Sequence, residues 1–411
     1  MQNRIERGVT APAPLLPDVG VLALIPDHWG GSWQPRQQIL SRLCRYFHVV
    51  WVDPAPGWRE ELRTLLRGPQ AEPVDSTVAP GLMIYRPSRF LPKIGTPPAL
   101  GRFLERRRLK QARKLLVDRG CRKVVLYVWR PRFAEDVDLV DHDLLCYHID
   151  DEYTFSPVEK PTSPQEAALI KRSDIVFIHS VALMEKKGHL NPRSVMVPNG
   201  VGYDDYASPV PEAADLRDIP HPRIGYVGIV KQQLDLALLL DLARRHKEWQ
   251  FVLVGKQGSL GDGVRIVEEL SRMPNVHLLG HRRINDLPSY TQYLDVCMLC
   301  YVVDDYTKFI YPLKLHEYLA AGRPVVGSPI RALEEFAGVV KIARSPDEWS
   351  RAIADSLKPE ENSPQRTETR RAVARRFDWT HLAGIVARSL CETLGPEYAA
   401  RLPQSVGEAR H

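Results

Sequence analysis

The sequence has no apolar run near the roughly 18 residues that a membrane-spanning helix needs. Its longest, 296–303 and 21–26, have the length of buried strands. The first twenty residues, MQNRIERGVTAPAPLLPDVG, lack the apolar core of a secretory signal. Cysteine is scarce, six scattered over 411 residues, which excludes a disulfide framework and points to reduced thiols in the cytoplasm. Cys297 and Cys300 form a C-x-x-C pair, but no second pair or His-x-x-His supplies the four ligands zinc needs. Positions three apart on a strand point to opposite faces, so both read as buried structural thiols. Charge of one sign is also lacking. There are 56 Lys and Arg against 50 Asp and Glu, and a net +6 does not by itself imply nucleic acid. Neither common phosphate-loop signature is present. Residues 28–32 (HWGGS) do not have the G-x-G-x-x-G spacing, and 255–263 (GKQGSLGDG) lacks the Lys-Ser/Thr ending. What remains is an ordinary globular mix, 44% hydrophobic and 26% charged, long enough for two or three domains.

Short continuous apolar runs dominate the first half, at 20–25, 47–52, 124–129, 144–147 and 175–179. Runs without alternation are strands buried on both faces of a parallel sheet. Helical stretches such as 37–46 and 104–117 lie between them, which is the alternation of a doubly wound α/β unit. The pattern restarts with strands at 223–228, 250–255, 276–280, 296–302 and 324–327, and helices at 234–246, 264–273, 284–293 and 313–321. The fold class is therefore α/β, two Rossmann-like doubly wound domains facing a cleft. The expected division is 1–202, a Pro- and Asp-rich linker 203–222, 223–375, and a tail 376–411 whose helix spans 379–394. A cleft between two such domains is a usual place for a ligand.

The segment 311–328, YPLKLHEYLAAGRPVVGS, carries the most chemistry. Pro312 suits a helix start, and Lys314 and Glu317 share one face near it. A helix N-terminus favours a phosphate, Lys314 adds a cation, and Glu317 can accept from ribose hydroxyls. The competing reading is a surface ion pair on an ordinary helix. Gly30 and Gly31 allow close approach to a ligand in an acceptor-side loop, or make a tight turn. His148 to Glu152 (HIDDE) follow a strand, where polar groups face the cleft. His148 and Asp151 are the catalytic candidates. Asp150 and Asp151 can bind acceptor hydroxyls or move a proton, or serve only as an acidic helix cap.

The spacing P-x-K-x-x-E-Y-L-A-A-G-R-P-V-V resembles the donor-nucleotide segment of GT-B glycosyltransferases, most like family 4 and the bacterial cell-surface polysaccharide enzymes. MVPNGV (196–201), GYVG (225–228), the strand at 251–255, the stretch 279–290 followed by Asp295, and FDWTHL (377–382) are similar to further family segments in the same order. The resemblance implies transfer of a sugar from a nucleotide-sugar to a hydroxyl of a lipid-linked or polysaccharide acceptor, with retention of configuration and the nucleotide-sugar as substrate rather than cofactor. It implies donor contacts at Gly228, Lys231, Gly280, Lys314 and Glu317, with Glu317 on the ribose. It places His148 near the reacting sugar, expects no metal, and has the C-terminal helix crossing back to the first domain. There are departures. Eight positions before Glu317, where the family has a second glutamate, stands Phe309; Ile229 and Val230 stand where the family has an arginine. Asp304, Asp305 or Lys308 are the nearby replacements, and the sequence does not choose among them.

Residues 86–132 hold 15 Lys and Arg against Glu105 and Asp118. Arg106, Arg107, Arg108, Lys110, Arg113 and Lys114 fall on one amphipathic helix, with Phe90, Leu91 and Phe103 nearby. This reads as docking on an anionic inner leaflet or on an anionic acceptor, or as a solvated basic face. No RNA or DNA motif accompanies the charge. Three other functions stay open at this point: a nucleotide-sugar epimerase of the same double fold, a dinucleotide-dependent oxidoreductase, and a non-enzymatic docking protein.

Overall fold

The computed structural model describes residues 13–31, 33–57, 75–88 and 90–406. Ser32, the last residue of the HWGGS loop, and Arg89 in the basic segment lie outside the described residues.

Two parallel sheets form the molecule. The first has eight strands in the order β3-β4-β2-β1-β5-β6-β7-β8. These are β1 (Val19–Leu24), β2 (His48–Val52), β3 (Asp75–Ala79), β4 (Leu82–Tyr85), β5 (Lys123–Val128), β6 (Leu144–Ile149), β7 (Ile175–Ile178) and β8 (Ser194–Met196). Only the β3–β4 pair is antiparallel. The second sheet runs β11-β10-β9-β12-β13-β14 and is parallel throughout. Its strands are β9 (Arg223–Val227), β10 (Gln250–Val254), β11 (Val276–Gly280), β12 (Val296–Leu299), β13 (Val325–Gly327) and β14 (Val340–Ile342). The central strands read VGVLAL, HVVWV and LLCYHI because helices cover both faces and leave no solvent side to be polar. Cys297 and Cys300 are buried, and burial pushes the Cys300 thiol up to about 12.

Residues 203–222 are not an open linker. They contain the helix Tyr203–Ala207, and Tyr206, Leu216 and Ile219 are buried in the second core. The Gln292 side-chain amide donates to the carbonyls of Tyr206 (2.8 Å) and Ser208 (2.7 Å). Buried apolar anchors in a proline-rich stretch were enough to fold it down. The helix Trp379–Leu394 puts Trp379, Leu382, Val386 and Leu390 into the core of the first sheet, against the helix Pro35–Leu43. The chain thus passes between domains twice, and the two passages pair. Val201 N–H donates to Phe377, and Trp379 N–H returns to Val201. A Cβ on Gly200 would lie 2.4 Å from the Phe377 oxygen, so glycine permits this crossing. Among the described residues no helix is long and apolar enough to cross a membrane.

One buried ion cluster fixes the loop after β6. Lys187, fully buried, lies with its Nζ 2.8 Å from Glu166 Oε1 and 3.2 Å from Glu152 Oε2. Tyr147 donates a further hydrogen bond to Glu166. Removing one partner of such a cluster strands the others without solvent. Lys187→Met should therefore cost about 3–5 kcal/mol of stability, read as a lowered urea midpoint.

Candidate functional site

A cavity of about 710 Å³ lies between the two sheets, lined from both domains. It sits at the carboxyl ends of the strands, where open α/β sheets place ligands.

The second-domain wall is built around the helix Leu313–Ala320. Pro312 occupies its cap position and no side chain caps its first turn, so its N–H dipoles are directed toward the cavity that Leu313 and Lys314 line. Three ties hold this helix. Asn199, of the Pro-Asn-Gly-Val stretch, donates from its side-chain amide to the Tyr311 carbonyl at 2.7 Å. Val227 N–H at the end of β9 donates to the Tyr318 hydroxyl at 2.8 Å. The His316 ring stacks on Phe377 at 4.0 Å, and its Nε2 shares a hydrogen bond with the Tyr311 hydroxyl. Burial drives the His316 pKa down to about 3, so the ring is neutral packing rather than a charge in the site.

Lys314 and Glu317 both line the cavity, as does Lys231. Burial lowers the Lys314 pKa; Glu317 opposes the shift and Lys231 adds to it. Burial raises that of Glu317, against Lys314 and Tyr206. Gly228 is required by this arrangement: a Cβ there would lie 1.8 Å from Lys314 Cε. Gly255 has φ 150°, and a Cβ on it would meet the Gly228 carbonyl oxygen at 2.0 Å. The two loops therefore nest backbone on backbone. Lys256 lines the same wall, and neither it nor Lys231 makes an ion pair among the described residues. Gly280 has φ 71° and accepts the Gly255 N–H at 2.8 Å, but it is not part of the lining. Its successors His281, Arg282 and Arg283 are. Arg282 is already held by Asp215 and Tyr290, and Arg283 by Asp286.

The first-domain wall brings Gly30 and Gly31 to the cavity. Their turn is closed by Gly31 N–H to the His28 carbonyl, and Asp53 accepts the Trp29 N–H at 2.8 Å. A Cβ on Gly30 would meet nothing within 4 Å, whereas one on Gly31 would crowd His28 at 3.1 Å. Asp150 sits between two arginines, Arg36 (3.3 Å) and Arg130. Burial alone would raise its pKa, but the two guanidinium groups outweigh burial and hold it below the ordinary carboxylate value. Asp151 differs. It lines the cavity, accepts from the Tyr306 hydroxyl at 3.2 Å, and is raised to about 6 by burial and then by Asp150.

His148 does not line the cavity. It is enclosed under Trp129, with ring centroids 4.0 Å apart, and its Nδ1 shares a hydrogen bond with the Tyr127 hydroxyl. Burial lowers its pKa to about 3. The alternation of β6 sends position 148 into the core beside Phe177. The first-domain histidine that lines the cavity is His179, just past β7, with Nδ1 3.2 Å from the Ile149 carbonyl. It follows an apolar run as His148 does, which was the available signal. Arg36, Arg130 and Tyr306 were also missed; each comes from a different loop or helix end.

Phe309 is buried in the core of the first domain, beneath the ammonium groups of Lys186 and Lys308. It does not face the cavity. Of its suggested replacements, Lys308 is clasped by Glu159 and Asp305, and Asp304 caps the N–H groups of Tyr306 and Thr307. None of the three lines the main cavity.

The basic helix Pro98–Val117 needs one correction. Arg108 is only 2% exposed, donates to the carbonyls of Leu91 and Pro92, and pairs with Glu105. It is a structural arginine and not part of the basic face. Arg113 donates to the Asp141 carbonyl and Lys114 pairs with Asp118. Arg106, Arg107 and Lys110 are exposed, with Phe103 beside Arg107.

Residues 221–358 match the family described as Glycosyl transferases group 1. The chain is 31% identical over 169 residues to a putative teichuronic acid biosynthesis glycosyltransferase of Bacillus subtilis, a match covering 40% of this chain and 42% of that protein. The chain thus spans less than half the length of that relative. Among solved structures, Anabaena HepE in complex with UDP and glucose superposes with a TM-score of 0.64 at 16% identity, covering 91% of this chain and 99% of that one. A Burkholderia xenovorans α,α-trehalose-phosphate synthase (UDP-forming) with glucose-6-phosphate gives 0.62 at 12% identity, covering 90% and 99%. The chain has the GT-B fold, and residues 221–358, in its second α/β unit, are similar to the glycosyl transferases group 1 family.

Proposed function

We propose that this chain transfers a sugar from a nucleotide-sugar to a hydroxyl on a lipid-linked or cell-surface saccharide acceptor. The observation that carries the proposal is the joint placement of Lys231, Lys314, Glu317 and an uncapped helix start on one wall of the interdomain cavity. The match to the group 1 family and to a teichuronic acid glycosyltransferase supports it.

Lys231, Lys314 and the helix N–H groups bind the diphosphate and take up the negative charge it gains on leaving. No metal is assigned a role in this scheme, because these cations supply the compensating charge. Glu317 accepts from the ribose hydroxyls. The acceptor enters from the Gly30–Gly31 side, and its hydroxyl gives its proton to Asp151 as its oxygen bonds to the sugar's anomeric carbon. The bond from that carbon to the diphosphate oxygen breaks, and the electron pair leaves with the diphosphate. Attack from the face the diphosphate vacates gives retention, the outcome the family likeness supports; the anomeric coupling of the first product in proton NMR reads it directly.

Glu317→Ala should weaken nucleotide-sugar binding by about 1–3 kcal/mol, the scale of a hydrogen bond to a charged group. Calorimetry checks this, and unchanged affinity removes Glu317 from the ribose. The exposed cations Arg106, Arg107 and Lys110 suit an anionic membrane surface that would present a lipid-linked acceptor to the first domain. Changing all three to Ser should reduce sedimentation with anionic vesicles, most clearly at low salt. Binding insensitive to both the change and the salt removes the membrane from the proposal.

A further inference from the structure

A second cavity, of about 460 Å³, opens beside the first and shares Tyr306 with it. Its volume lies within the roughly 300–1,000 Å³ of small-ligand sites. Phe155 from the first domain and Tyr306 from the second form one side, their ring centroids 6.0 Å apart. Phe155 is 60% exposed and holds a φ of 47°, the only positive φ at a non-glycine among the described residues. An aromatic ring held open to solvent on backbone that side chains rarely adopt is unlike core packing. The rest of the lining combines the polar side chains of Gln232, Gln233, Asp235, Asp262 and Asp304 with apolar ones such as Leu260 and Ile266.

This chemistry selects its ligand. The negative faces of aromatic rings attract the polarised C–H face of a pyranose. Amides donate to and accept from its hydroxyls, and carboxylates accept from them. Carboxylates disfavour an anion. A metal is not indicated either: Asp304 caps backbone N–H groups, and among the described residues no three His, Cys, Asp or Glu side chains are grouped to hold one. Tyr306 bridges the cavities and donates to Asp151 at 3.2 Å, so a saccharide reaching Asp151 can run past Tyr306 into the second cavity.

We infer that the second cavity is a subsite for an uncharged sugar residue of the acceptor, one or more units behind the hydroxyl that reacts. The inference rests on the transferase reading above for the word acceptor, but the binding site itself stands on its own geometry.

Saturation-transfer NMR on the full chain tests it, with glucose, N-acetylglucosamine, maltose, cellobiose and glucuronic acid as probes. Transfer is expected to the ring protons of at least one neutral sugar, and less to glucuronic acid. Phe155→Ala should reduce it several-fold, and Asp262→Lys, another exposed position, provides a second variant should the first not fold. Binding of UDP-, GDP- and ADP-glucose should be unchanged in both variants. No transfer to any neutral sugar, or transfer equal in wild type and in the folded variants, overturns the subsite. Loss of nucleotide-sugar binding in the wild type with sugar transfer intact would instead overturn the transferase reading and leave the subsite standing.

Discussion

Replacing Asp151 by Asn should lower kcat by about 10²–10⁴-fold, the range for loss of a positioned proton acceptor, while nucleotide-sugar binding persists. The expectation follows from the contrast between two adjacent carboxylates. Asp150 is locked between Arg36 and Arg130 and held ionised. Asp151 keeps one hydroxyl partner from across the cleft and has its pKa raised to about 6, first by burial and then by its neighbour. A group that accepts a proton must be ionised beforehand. In the free enzyme kcat/KM should therefore rise with pH through about 6 and level above it. Asp151→Asn should remove that limb. A limb that survives in Asp151→Asn belongs to another group.

Replacing Lys314 by Met should lower kcat by about 10²–10³-fold, the scale for removing one preorganised donor from developing charge. Lys314 is half-buried with Glu317 close by, and its partial loss of solvent already depresses its pKa. A full positive charge kept in such a place is costly unless an anion joins it, which is what a leaving diphosphate provides. Gly228→Ala should act by the same route, because its new methyl would occupy the space of Lys314 Cε and displace the ammonium. Steady-state kinetics with saturating nucleotide-sugar separates the two effects. A Lys314→Met variant that loses only affinity would place the lysine in ground-state binding.

Both sheets were legible as continuous apolar runs, since strands covered on both faces leave a strong linear signal. One edge of the first sheet was not: the edge strand β3 reads DSTVA, too polar to stand out, and β4 beside it has only four residues, LMIY. The second-domain wall was legible because Pro312, Lys314 and Glu317 lie at the start of one short helix, where spacing alone determines a shared face. The facing wall was not, because Arg36, Arg130, His179 and Tyr306 meet only in three dimensions. His148 shows the limit of reading position at a strand end. A one-residue phase decides between core and cleft, and the structure puts the neutral ring under Trp129 while Asp150 and Asp151 emerge. Arg108 shows the same limit on a helix: charge suggested the surface, yet three backbone and side-chain acceptors draw it inside.

The most direct test is the structure of this chain with a bound nucleotide-sugar. The expected result is a diphosphate within hydrogen-bond distance of Lys314 Nζ and the first turn of Leu313–Ala320, with the ribose hydroxyls on the Glu317 carboxylate. A nucleotide seated anywhere else, with Glu317 untouched, would contradict the assignment of this cleft.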